Sequence, residues 1–277
     1  MKRIFQPEDF RNELLAAAYD ELPLWSAPFG LNLLNAINYS APVVALDIGC
    51  GTGFPLLELA QRFGKGSNFY GIDPWSEGLN LIRRKMECYD IDNVTVTCAV
   101  AEKLPFDNEM FDLITSNNGL NNVQSLEDSL KECHRTLKKD GNLIFTANLP
   151  GTFSLFYETL IKAMLQEGLD MIVPKIYKHI KSKRKSIEEM CQTLENIRLR
   201  VIRTETESYN MHFSSGTSFF NHFLIRLYFM SSWLNLIPEN FQHQIMNLVE
   251  EELNSFSVSN QGICMEVPYA LFEAEKF

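Results

Sequence analysis

The chain has 277 residues, of which 45% are hydrophobic and 12% aromatic, a composition that excludes a disordered protein and allows a sizeable core. Its formal net charge of -10 disfavours generic binding to nucleic acid or to anionic membranes, because both attract basic surfaces, and favours a small-molecule or protein substrate. The six cysteines form no C-x-x-C pair and no zinc-type cluster, and no export signal is visible, so we expect a cytoplasmic protein with reduced thiols and no bound metal.

Residues 1–40 are predicted to form an N-terminal helical cap. Apolar residues recur there at roughly helical spacing in two stretches, which a break rich in Pro, Ser and Gly separates. Tyr19 lies in the first stretch, and Trp25 lies near the start of the second. Core packing is one interpretation of these aromatic residues, and contact with a ligand bound to the following segment is the other.

The segment VVALDIGCGTGF predicts a strand that ends in a glycine-rich turn and opens a helix. Gly49, Gly51 and Gly53 lack a Cβ, so the chain can turn sharply and a ligand can lie directly against the backbone. The next apolar run ends at Asp73, twenty positions after Gly53, where a carboxylate can accept hydrogen bonds from both hydroxyls of a ribose. This spacing favours an adenosine. A dinucleotide is disfavoured, because its fingerprint G-x-G-x-x-G requires a glycine where the chain has Phe54.

Strands and helices then alternate at short intervals. In chain order the patterns predict helix 55–63, strand 68–73, helix 77–90, strand 93–99, strand 111–116, helix 126–139 and strand 142–150. A turn at Asp140 and Gly141 separates the last two. This alternation requires a doubly wound parallel sheet with helices on both faces, and ligands of such sheets lie outside the carboxyl ends of the strands.

The motifs resemble those of the class I S-adenosylmethionine-dependent methyltransferases, whose first motif, (D/E)-x-G-x-G-x-G, corresponds to the stretch from Asp47 to Gly53. The resemblance implies an α/β fold with a doubly wound, mostly parallel, seven-stranded Rossmann-like sheet and helical lid insertions. It also implies that S-adenosyl-L-methionine is the cofactor and that a methyl group is transferred to a small-molecule acceptor by in-line displacement. Within this class the chain resembles the ubiquinone/menaquinone C-methyltransferases and related small-molecule enzymes.

The resemblance also assigns site residues. The run VAEKLPF matches the family's third motif, in which an acid and the adjacent backbone amide contact adenine, but Val100 replaces the acid. The amide of Ala101 or the side chain of Glu102 is therefore expected to hold adenine instead. Asn117, which follows the fourth strand, is expected beneath the transferring methyl group, although polar residues are also common in turns without a function. Tyr19 resembles an aromatic residue of an N-terminal segment that folds over the cofactor. The predicted cofactor-binding residues are Asp47, Gly49, Cys50, Gly51, Gly53, Asp73, Pro74, Ala101, Glu102, Asn117 and Tyr19.

The rest of the chain is predicted to complete the sheet, with two helical insertions. Ser186 and Glu189 form a capping-box pattern that opens helix 186–196, strand 198–209 follows, and 264–277 is expected to be a last strand antiparallel to it. The resemblance implies that the insertions cover the cofactor and determine substrate choice. The predicted domains are the helical cap 1–40, the methyltransferase core 41–150, 186–213 and 260–277, and the helical lid insertions 151–185 and 214–259.

Two stretches of the insertions have unusual compositions. The segment SFFNHFLIRLYFMSSWLNLI is apolar and aromatic, but Asn221, His222 and Arg226 interrupt it, so it is a poor membrane span. It is either a packed lid helix or the apolar wall of an acceptor pocket, and one helix can be both. The aromatic residues concerned are Phe219, Phe220, Phe223 and Trp233. The basic run KIYKHIKSKRK, residues 175–185, is either a solvated face or a landing site for an anionic acceptor.

The sequence assigns no catalytic residue. A sulfonium methyl group is already activated, so the enzyme must hold a nucleophile in line with the S–CH3 bond and exclude water, and a general base is not obligatory. Tyr209, His212 and His222 lie near the expected lid, but none of them is specific as a base, and His134 is expected to be an ordinary helix residue. Two other functions stay open. One is a regulator that binds S-adenosylmethionine without transferring its methyl group, and the other is a nicotinamide-dependent oxidoreductase, which Phe54 opposes.

Overall fold

The computed structural model describes residues 4, 6–21, 24–40 and 42–277. The strands are β1 (Val44–Ile48), β2 (Asn68–Asp73), β3 (Val94–Cys98), β4 (Phe111–Asn117), β5 (Leu137–Asn148), β6 (Leu199–Phe213) and β7 (Ile263–Lys276). The helices up to β5 are α1 (Glu13–Glu21), α2 (Ala27–Ala36), α3 (Leu56–Phe63), α4 (Ser76–Cys88) and α5 (Leu126–Thr136). Those after β5 are α6 (Ser154–Gln166), α7 (Val173–Lys183), α8 (Ile187–Asn196), α9 (Gly216–Asn221), α10 (Met230–Leu234) and α11 (Gln242–Asn260). Short 3-10 turns cover Pro7–Arg11, Leu120–Asn122, Asp170–Ile172 and Glu239–Phe241, and a π-helical turn covers Ile225–Phe229.

Within the described residues, seven strands form one sheet in the order β3-β2-β1-β4-β5-β7-β6. β1 pairs in parallel with β2 and β4, and β2–β3 and β4–β5 are also parallel, whereas β7 is antiparallel to β5. The strand order reverses between β1 and β4, and ligands of open α/β sheets bind in the crevice at such a reversal. The predicted doubly wound, mostly parallel sheet is confirmed, and its last strand lies between β5 and β6.

The described chain divides into two compact units. The core unit consists of Phe10–Asn148, Lys185–Glu207 and Tyr269–Phe277, and the helical unit consists of the described part of Met1–Asp9, Leu149–Arg184 and Ser208–Pro268. β6 and β7 therefore contribute residues to both units. The described part of the predicted cap lies in the core unit from residue 10 onward. The predicted insertion 151–185 lies in the helical unit up to residue 184, and the predicted insertion 214–259 lies in it throughout. No helix in the described residues has both the length and the apolar composition that a membrane crossing needs.

In the core unit, α2, α3 and the sheet share one apolar cluster. Leu33 and Leu34 of α2 are buried together with Leu56 and Leu59 of α3 and with Phe69 of β2. Full burial of a leucine side chain stabilises a fold by roughly 1.5–3 kcal/mol, so the apolar face of α2 holds this helix to the sheet. Most residues of β1 and β4 are buried, because helices cover both faces of a parallel sheet.

The boundary between α5 and β5 differs from the prediction. The helix expected over 126–139 ends at Thr136, and β5 begins at the next residue. Leu137 pairs with Phe111 of β4, and the register between the two strands then shifts. Asp140 takes a left-handed conformation with a φ of 61°, so the expected turn is a bulge inside the strand. The predicted later start of this strand is wrong because its pairing with β4 overrides a local pattern that is equally compatible with a helix.

An aromatic cluster forms the core of the helical unit. Phe156 of α6 stacks on Trp233 of α10 with ring centroids 3.8 Å apart, and Phe219 of α9 stacks on the same indole at 5.9 Å. The indole N–H donates to the hydroxyl of Tyr157 at 3.1 Å, so the polar atom of this buried tryptophan is satisfied. Phe219 and Trp233, which the sequence offered as a pocket wall or as packed residues, are packed inside the unit.

The apolar run of the helical unit is not one helix. It consists of α9 and a second helical stretch that contains the π-helical turn and α10, and the break between them falls at the polar pair Asn221 and His222. The Asn221 side chain donates to the carbonyl of Thr217 at 2.9 Å, and His222 is extended. The prediction of a continuous helix is wrong because polar side chains within the run compete for the backbone hydrogen bonds that would extend it.

Candidate functional site

The glycine-rich turn after β1 is fixed by its own backbone. The amides of Gly49 and Cys50 both donate to the carbonyl of Ile72 in β2, at 2.9 and 3.1 Å. The amide of Gly53 donates to the carbonyl of Cys50 at 2.8 Å. The Cys50 side chain is buried, and this burial raises the pKa of its thiol well above the usual range. Cys50 therefore shapes the turn, and its thiol stays protonated and unreactive.

Three glycines make the turn accessible at one point. Gly49, Gly51 and Gly53 have positive φ angles of 74°, 52° and 111°, which residues with a Cβ rarely adopt. A Cβ on Gly49 would lie 2.9 Å from the Cα of Gly119, and a Cβ on Gly53 would lie 2.9 Å from Leu57. A Cβ on Gly51 would meet nothing within 4 Å. Protein atoms therefore close the turn at both ends, and a ligand can approach the backbone at Gly51.

Asp73 ends β2, and its carboxylate lies against the open part of the turn. Its Oδ2 accepts from the Gly51 amide at 2.9 Å, and its Oδ1 accepts from the Trp75 amide at 2.8 Å. Burial raises the pKa of Asp73, and the two amides partly offset that rise. An ionised carboxylate can accept about four hydrogen bonds, so two backbone donors leave capacity for two donors of a ligand. Pro74, the next residue, is exposed.

Asp47 lies near the end of β1 and is almost completely buried, with 1% of its surface exposed. Its Oδ1 accepts from the Thr115 hydroxyl at 2.8 Å, whereas its Oδ2 has no partner among the described residues. Desolvation raises the pKa of Asp47 to about 7, the Thr115 hydroxyl opposes the rise, and the charge of Asp73 adds to it. Two neighbouring carboxyl groups with raised pKa values form an arrangement that a cationic ligand would stabilise.

The loop after β3 carries the residues that were predicted to hold adenine. The Oε1 of Glu102 accepts from the amides of Gln124 and Ser125 at 2.6 and 3.0 Å, so this carboxylate ties the loop to the start of α5. The amide of Ala101 makes no hydrogen bond within the described part of the chain. Val100, in the place of the family's acid, is 47% exposed. Of the two candidate adenine partners, the Ala101 amide is the one without an acceptor in the described part of the chain, and the residue is 4% exposed.

α5 holds this loop in place. The Oε2 of Glu132 accepts from the Leu104 amide at 2.8 Å, and Arg135 donates to the carbonyls of Phe106 and Leu104 at 2.8 and 3.1 Å. Glu132 and Arg135 also form an ion pair at 2.7 Å, and this pairing lowers the pKa of Glu132. Two side chains of α5 therefore fix the loop after β3. His134 lies on the same helix.

Asn117, at the carboxyl end of β4, and Phe54, after the glycine-rich turn, contact the segment of α2. The Nδ2 of Asn117 donates to the Ser26 carbonyl at 3.0 Å, and its Oδ1 accepts from the Thr146 hydroxyl at 3.2 Å. A Cβ on Gly30 of α2 would lie 2.1 Å from the Phe54 ring. The ring that replaces the fingerprint glycine therefore packs against α2. The Asn117 side chain is engaged by protein groups at both of its polar atoms.

Asparagines at the ends of β4 and β5 form a cluster that the sequence patterns did not predict. The amide of Asn121 donates to the Oδ1 of Asn118 and, at 3.2 Å, to the Oδ1 of Asn148. Asn148 is 6% exposed, and its Nδ2 is buried without a partner among the described residues. The run NNGLNN is the sequence signal that could have indicated this cluster. Because ligands lie beyond the carboxyl ends of these strands, the Asn148 amide is a candidate donor to an oxygen of a bound molecule.

Tyr19 of α1 belongs to an aromatic group beside Asp73. Its ring lies edge-on to that of Trp75, with centroids 5.8 Å apart. The Trp75 indole donates to the Phe10 carbonyl at 2.6 Å, and the Phe10 ring lies 5.6 Å from the indole. Since the Trp75 amide binds the Asp73 carboxylate, Tyr19 is connected to the candidate site through Trp75.

Lys85 of α4 links the N-terminal helices to the glycine-rich turn and was not predicted. Its ammonium donates to the carbonyl of Thr52 at 2.8 Å and forms an ion pair with Asp20 of α1. The partners are 33 and 65 positions away in the chain, so a local pattern cannot indicate them. The neighbouring Arg84 also binds α1, through Glu13, but both of those side chains are more than half exposed, at 61% and 57%.

Five of the eleven predicted site residues show two different uses of their polar groups. Gly51, Asp73 and Ala101 present groups that a ligand can use, at the carboxyl ends of the adjoining strands β1, β2 and β3. Glu102 and Asn117 use their side chains to hold neighbouring segments of the protein. In the ranges that the structure describes, no group of three or more His, Cys, Asp or Glu side chains is arranged to hold a metal ion.

Comparison with known proteins identifies sequence relatives. A family model described as a methyltransferase domain matches residues 46–145. The chain is 30% identical over 169 residues to the ubiquinone/menaquinone biosynthesis C-methyltransferase of Geotalea uraniireducens, and the match covers 61% of this chain and 67% of the relative. It is 28% identical over 155 residues to the demethylmenaquinone methyltransferase of Staphylococcus epidermidis, and this match covers 56% of this chain and 61% of the relative. The matches to these two relatives therefore span about two thirds of their length or less.

The fold also has solved counterparts. A putative methyltransferase from Bacillus halodurans C-125 superimposes with a TM-score of 0.58 at 17% sequence identity, covering 89% of this chain and 98% of that chain. At this identity the likeness is one of fold. It agrees with the predicted Rossmann-like sheet.

Proposed function

The chain belongs to the class I S-adenosylmethionine-dependent methyltransferases, and we propose that it transfers the methyl group of S-adenosylmethionine to a small-molecule acceptor. One observation carries the proposal. The Asp73 carboxylate lies against an open glycine turn and accepts from the amides of Gly51 and Trp75. It keeps capacity for about two further donors, which is what the ribose hydroxyls of an adenosine present.

The residues present fit this cofactor in three further respects. The turn is open at Gly51, so backbone contact needs no rearrangement of side chains. Asp47 has a buried oxygen without a donor, which is unfavourable unless a ligand supplies a donor or a positive charge. The Ala101 amide is free to donate to a ring nitrogen. When bound, S-adenosylmethionine supplies a methyl group that its sulfonium charge has already activated.

We assign the cofactor contacts accordingly. Asp73 binds the ribose hydroxyls, the backbone at Gly51 lies against the cofactor, and the Ala101 amide holds adenine. Asp47 supplies negative charge near the turn, and Tyr19 acts through Trp75. The remaining predicted residues act by shaping or holding the site: Gly49, Cys50, Gly53, Pro74, Glu102 and Asn117.

The charges of the core unit suggest how the chain favours transfer. Ionised Asp47 and Asp73 attract the cofactor while it carries its sulfonium charge, and they attract the uncharged sulfide product less. This difference favours release of the product and binding of new cofactor. The chain's other contribution is to hold the acceptor in line and to exclude water, which needs no strong general base.

The acceptor is proposed to carry an oxygen that the Asn148 amide binds. The names of the two relatives, which refer to ubiquinone, menaquinone and demethylmenaquinone, favour an aromatic acceptor of the quinol type. We also propose a cytoplasmic location, since the six cysteines are free thiols, and a partner that is not a nucleic acid, since the formal net charge is -10.

Methyl transfer can be tested directly. The chain is incubated with methyl-labelled S-adenosylmethionine and a panel of hydroxynaphthoquinols, phenols and aromatic anions, and S-adenosylhomocysteine and labelled product are quantified. We expect acceptor-dependent formation of both, and a large reduction in an Asp73→Asn variant. Binding of the cofactor without product from any acceptor would support the regulator instead, and acceptor-dependent oxidation of NADH would support the oxidoreductase.

A further inference from the structure

The basic run of the helical unit contains one residue that differs from the others. Lys175, Lys178, Lys181 and Lys183 are exposed, as expected of a solvated helix face. Arg184, at the carboxyl end of α7, has only 7% of its surface exposed. The run is therefore neither wholly a solvated face nor wholly a landing surface, because its single arginine is buried.

The guanidinium of Arg184 is not neutralised by the protein. Its Nη1 is buried and has no hydrogen-bond partner among the described residues, and no ion pair of Arg184 is formed within that part of the chain. The contact that it does make is with a π system, since its Cζ lies 5.7 Å from the centre of the Tyr157 ring. A cation–π contact offsets part of the desolvation of a buried cation, but it satisfies none of the five N–H donors.

The surroundings of Arg184 are also positive. The ring of His179 lies 6.2 Å from that of Tyr157, and the charges that act on this imidazole are those of Arg184, Lys183 and Lys175. Desolvation and these cations together lower the pKa of His179 to about 4, so its imidazole is neutral at physiological pH. No carboxylate is among the groups that shift the pKa of His179. A buried cation amid other cations is stabilised most by an anion.

The same place offers a second donor and an apolar wall. The Tyr157 hydroxyl accepts from the Trp233 indole at 3.1 Å, so its own proton is available to another acceptor. Tyr157 is 4% exposed, and its neighbour Phe156 stacks on Trp233. A ligand at this position would therefore meet a guanidinium and a hydroxyl beside aromatic rings.

We propose that the helical unit binds an oxyanion, the carboxylate or phosphate of an aromatic or otherwise apolar small molecule, through the Arg184 guanidinium and the Tyr157 hydroxyl. Arginine suits this role because its planar fork matches both anions. The binding itself does not depend on methyl transfer.

The test uses the full chain and two probes, phenyl phosphate and benzoate, with benzyl alcohol as the uncharged control. Binding is followed by calorimetry and by the shift in Tm. We expect one or both anions to bind and to raise Tm, and benzyl alcohol to do neither. The stronger of the two anions identifies the headgroup. Equal responses to benzyl alcohol and to the anions would overturn the proposal, because the ring alone would then explain the binding.

Two variants with the same loss of charge separate the buried arginine from the exposed run. Arg184→Met is expected to weaken anion binding by about tenfold or more, whereas Lys183→Met, one position away and exposed, leaves it unchanged. Without ligand, Arg184→Met should have a Tm equal to or above that of the wild type, since an uncompensated buried charge is removed. A lower Tm together with unchanged anion affinity would show that Arg184 is a structural residue and would overturn the proposal.

Tyr157→Phe tests the second donor. It keeps the ring under Arg184 and removes the hydroxyl, so we expect a smaller loss of anion affinity than in Arg184→Met. Titration of Arg184→Met with S-adenosylmethionine should match the wild type. If the wild type binds the anions but not S-adenosylmethionine, the proposed function is contradicted and the oxyanion site is supported. If it binds S-adenosylmethionine but not the anions, only the oxyanion site is contradicted.

Discussion

The core unit and the helical unit bury ionisable groups of opposite sign. In the core unit, desolvation raises the pKa values of Asp47 and Asp73, two carboxyls beside a turn that is open to a ligand. In the helical unit, Arg184 is buried without an anionic partner among the described residues, and the pKa of His179 is lowered to about 4. Each unit therefore favours a ligand of a different charge. We infer a cationic cofactor for the core unit and an anionic molecule for the helical unit.

The two sites also differ in construction. The core site is made mainly of backbone groups from one short motif and from the ends of adjoining strands, and its shape follows from three glycines. The helical site is made of side chains from α6, α7 and α10. Substitutions in the core unit therefore distinguish backbone shape from charge.

Asp73→Asn is expected to have the largest effect on the core site. It removes the charge that accepts from the Gly51 amide and leaves one oxygen acceptor. Hydrogen bonds to a charged group contribute about 1.5–3 kcal/mol, so the Kd for S-adenosylmethionine should rise roughly 10- to 100-fold. Calorimetric titration measures it. Glu87→Gln, an equal loss of charge at an exposed position of α4, is the control, and equal effects of both changes would show that only net charge matters.

Gly51→Ala and Gly64→Ala form a matched pair. Both glycines have a positive φ, 52° and 67°, and a Cβ at either would meet nothing within 4 Å. Each change should therefore destabilise the fold by about 1–2 kcal/mol or more, measured by urea unfolding, and Gly64→Ala should cost the most because its ψ of -158° lies in a region that essentially only glycine adopts. Only Gly51→Ala should also weaken binding of S-adenosylmethionine, by about tenfold or 1.4 kcal/mol, because its methyl group occupies the open space over the turn. Equal affinities of the two variants would mean that the ligand does not use this space.

Asp47 should make the stability of the ligand-free protein depend on pH. Its pKa is raised from 3.8 to about 7 in the folded state, so the folded protein binds this proton more tightly than the unfolded chain. Its contribution to stability is therefore complete below about pH 4 and is lost as the pH rises through about 7, at about 1.4 kcal/mol for each unit of the shift. Asp47→Asn should reduce this slope in urea unfolding curves measured between pH 5 and pH 8. An unchanged slope would show that a group other than Asp47 causes the pH dependence of stability.

The cofactor should respond to Asp47 in the opposite direction. Binding of S-adenosylmethionine should strengthen as the pH rises through about 7, because the ionised carboxylate attracts its positive charge, and S-adenosylhomocysteine should show a weaker dependence. In Asp47→Asn, the affinity for S-adenosylmethionine should depend on pH as weakly as the affinity for S-adenosylhomocysteine does.

Lys85→Met tests the link between α1 and the glycine-rich turn. The side chains of Lys85 and Asp20 are partly buried, at 19% and 24% exposed, so we expect the KM for S-adenosylmethionine to rise several-fold, the equivalent of about 1 kcal/mol, with little change in kcat. Arg84→Met removes a comparable cation from the exposed pair with Glu13, and surface pairs contribute about 0–1 kcal/mol, so its KM should stay near that of the wild type. A fall in kcat with an unchanged KM would show that Lys85 does not act through the cofactor.

Much of the core unit could be predicted from its sequence because its elements depend on local patterns. β2 was predicted with the bounds it has, and the Ser186 capping box is present. The start of β5 could not be predicted, since Leu137 joins the sheet through its pairing with Phe111, a contact between distant parts of the chain. The break after Asn221 was also missed, because an apolar run alone does not show where side chains end a helix.

The part of the site that could be predicted from the sequence is the part that backbone groups form. The glycine positions and the spacing to Asp73 indicated the turn, and the structure brings the Gly51 amide and that carboxylate together. The partners of Glu102 and Asn117 lie far along the chain, so their engagement by protein groups was not visible. Lys85 escaped prediction for the same reason.

The most direct measurement is a calorimetric titration of the purified chain with S-adenosylmethionine and, separately, with NADH. The glycine turn, Asp73 and the packing of Phe54 against α2 predict saturable binding of one S-adenosylmethionine per chain and no binding of NADH. Gly64→Ala should reproduce this result, and Gly51→Ala should weaken it. Saturable binding of NADH, or no binding of S-adenosylmethionine by the folded wild-type protein, would contradict the cofactor site described for the core unit.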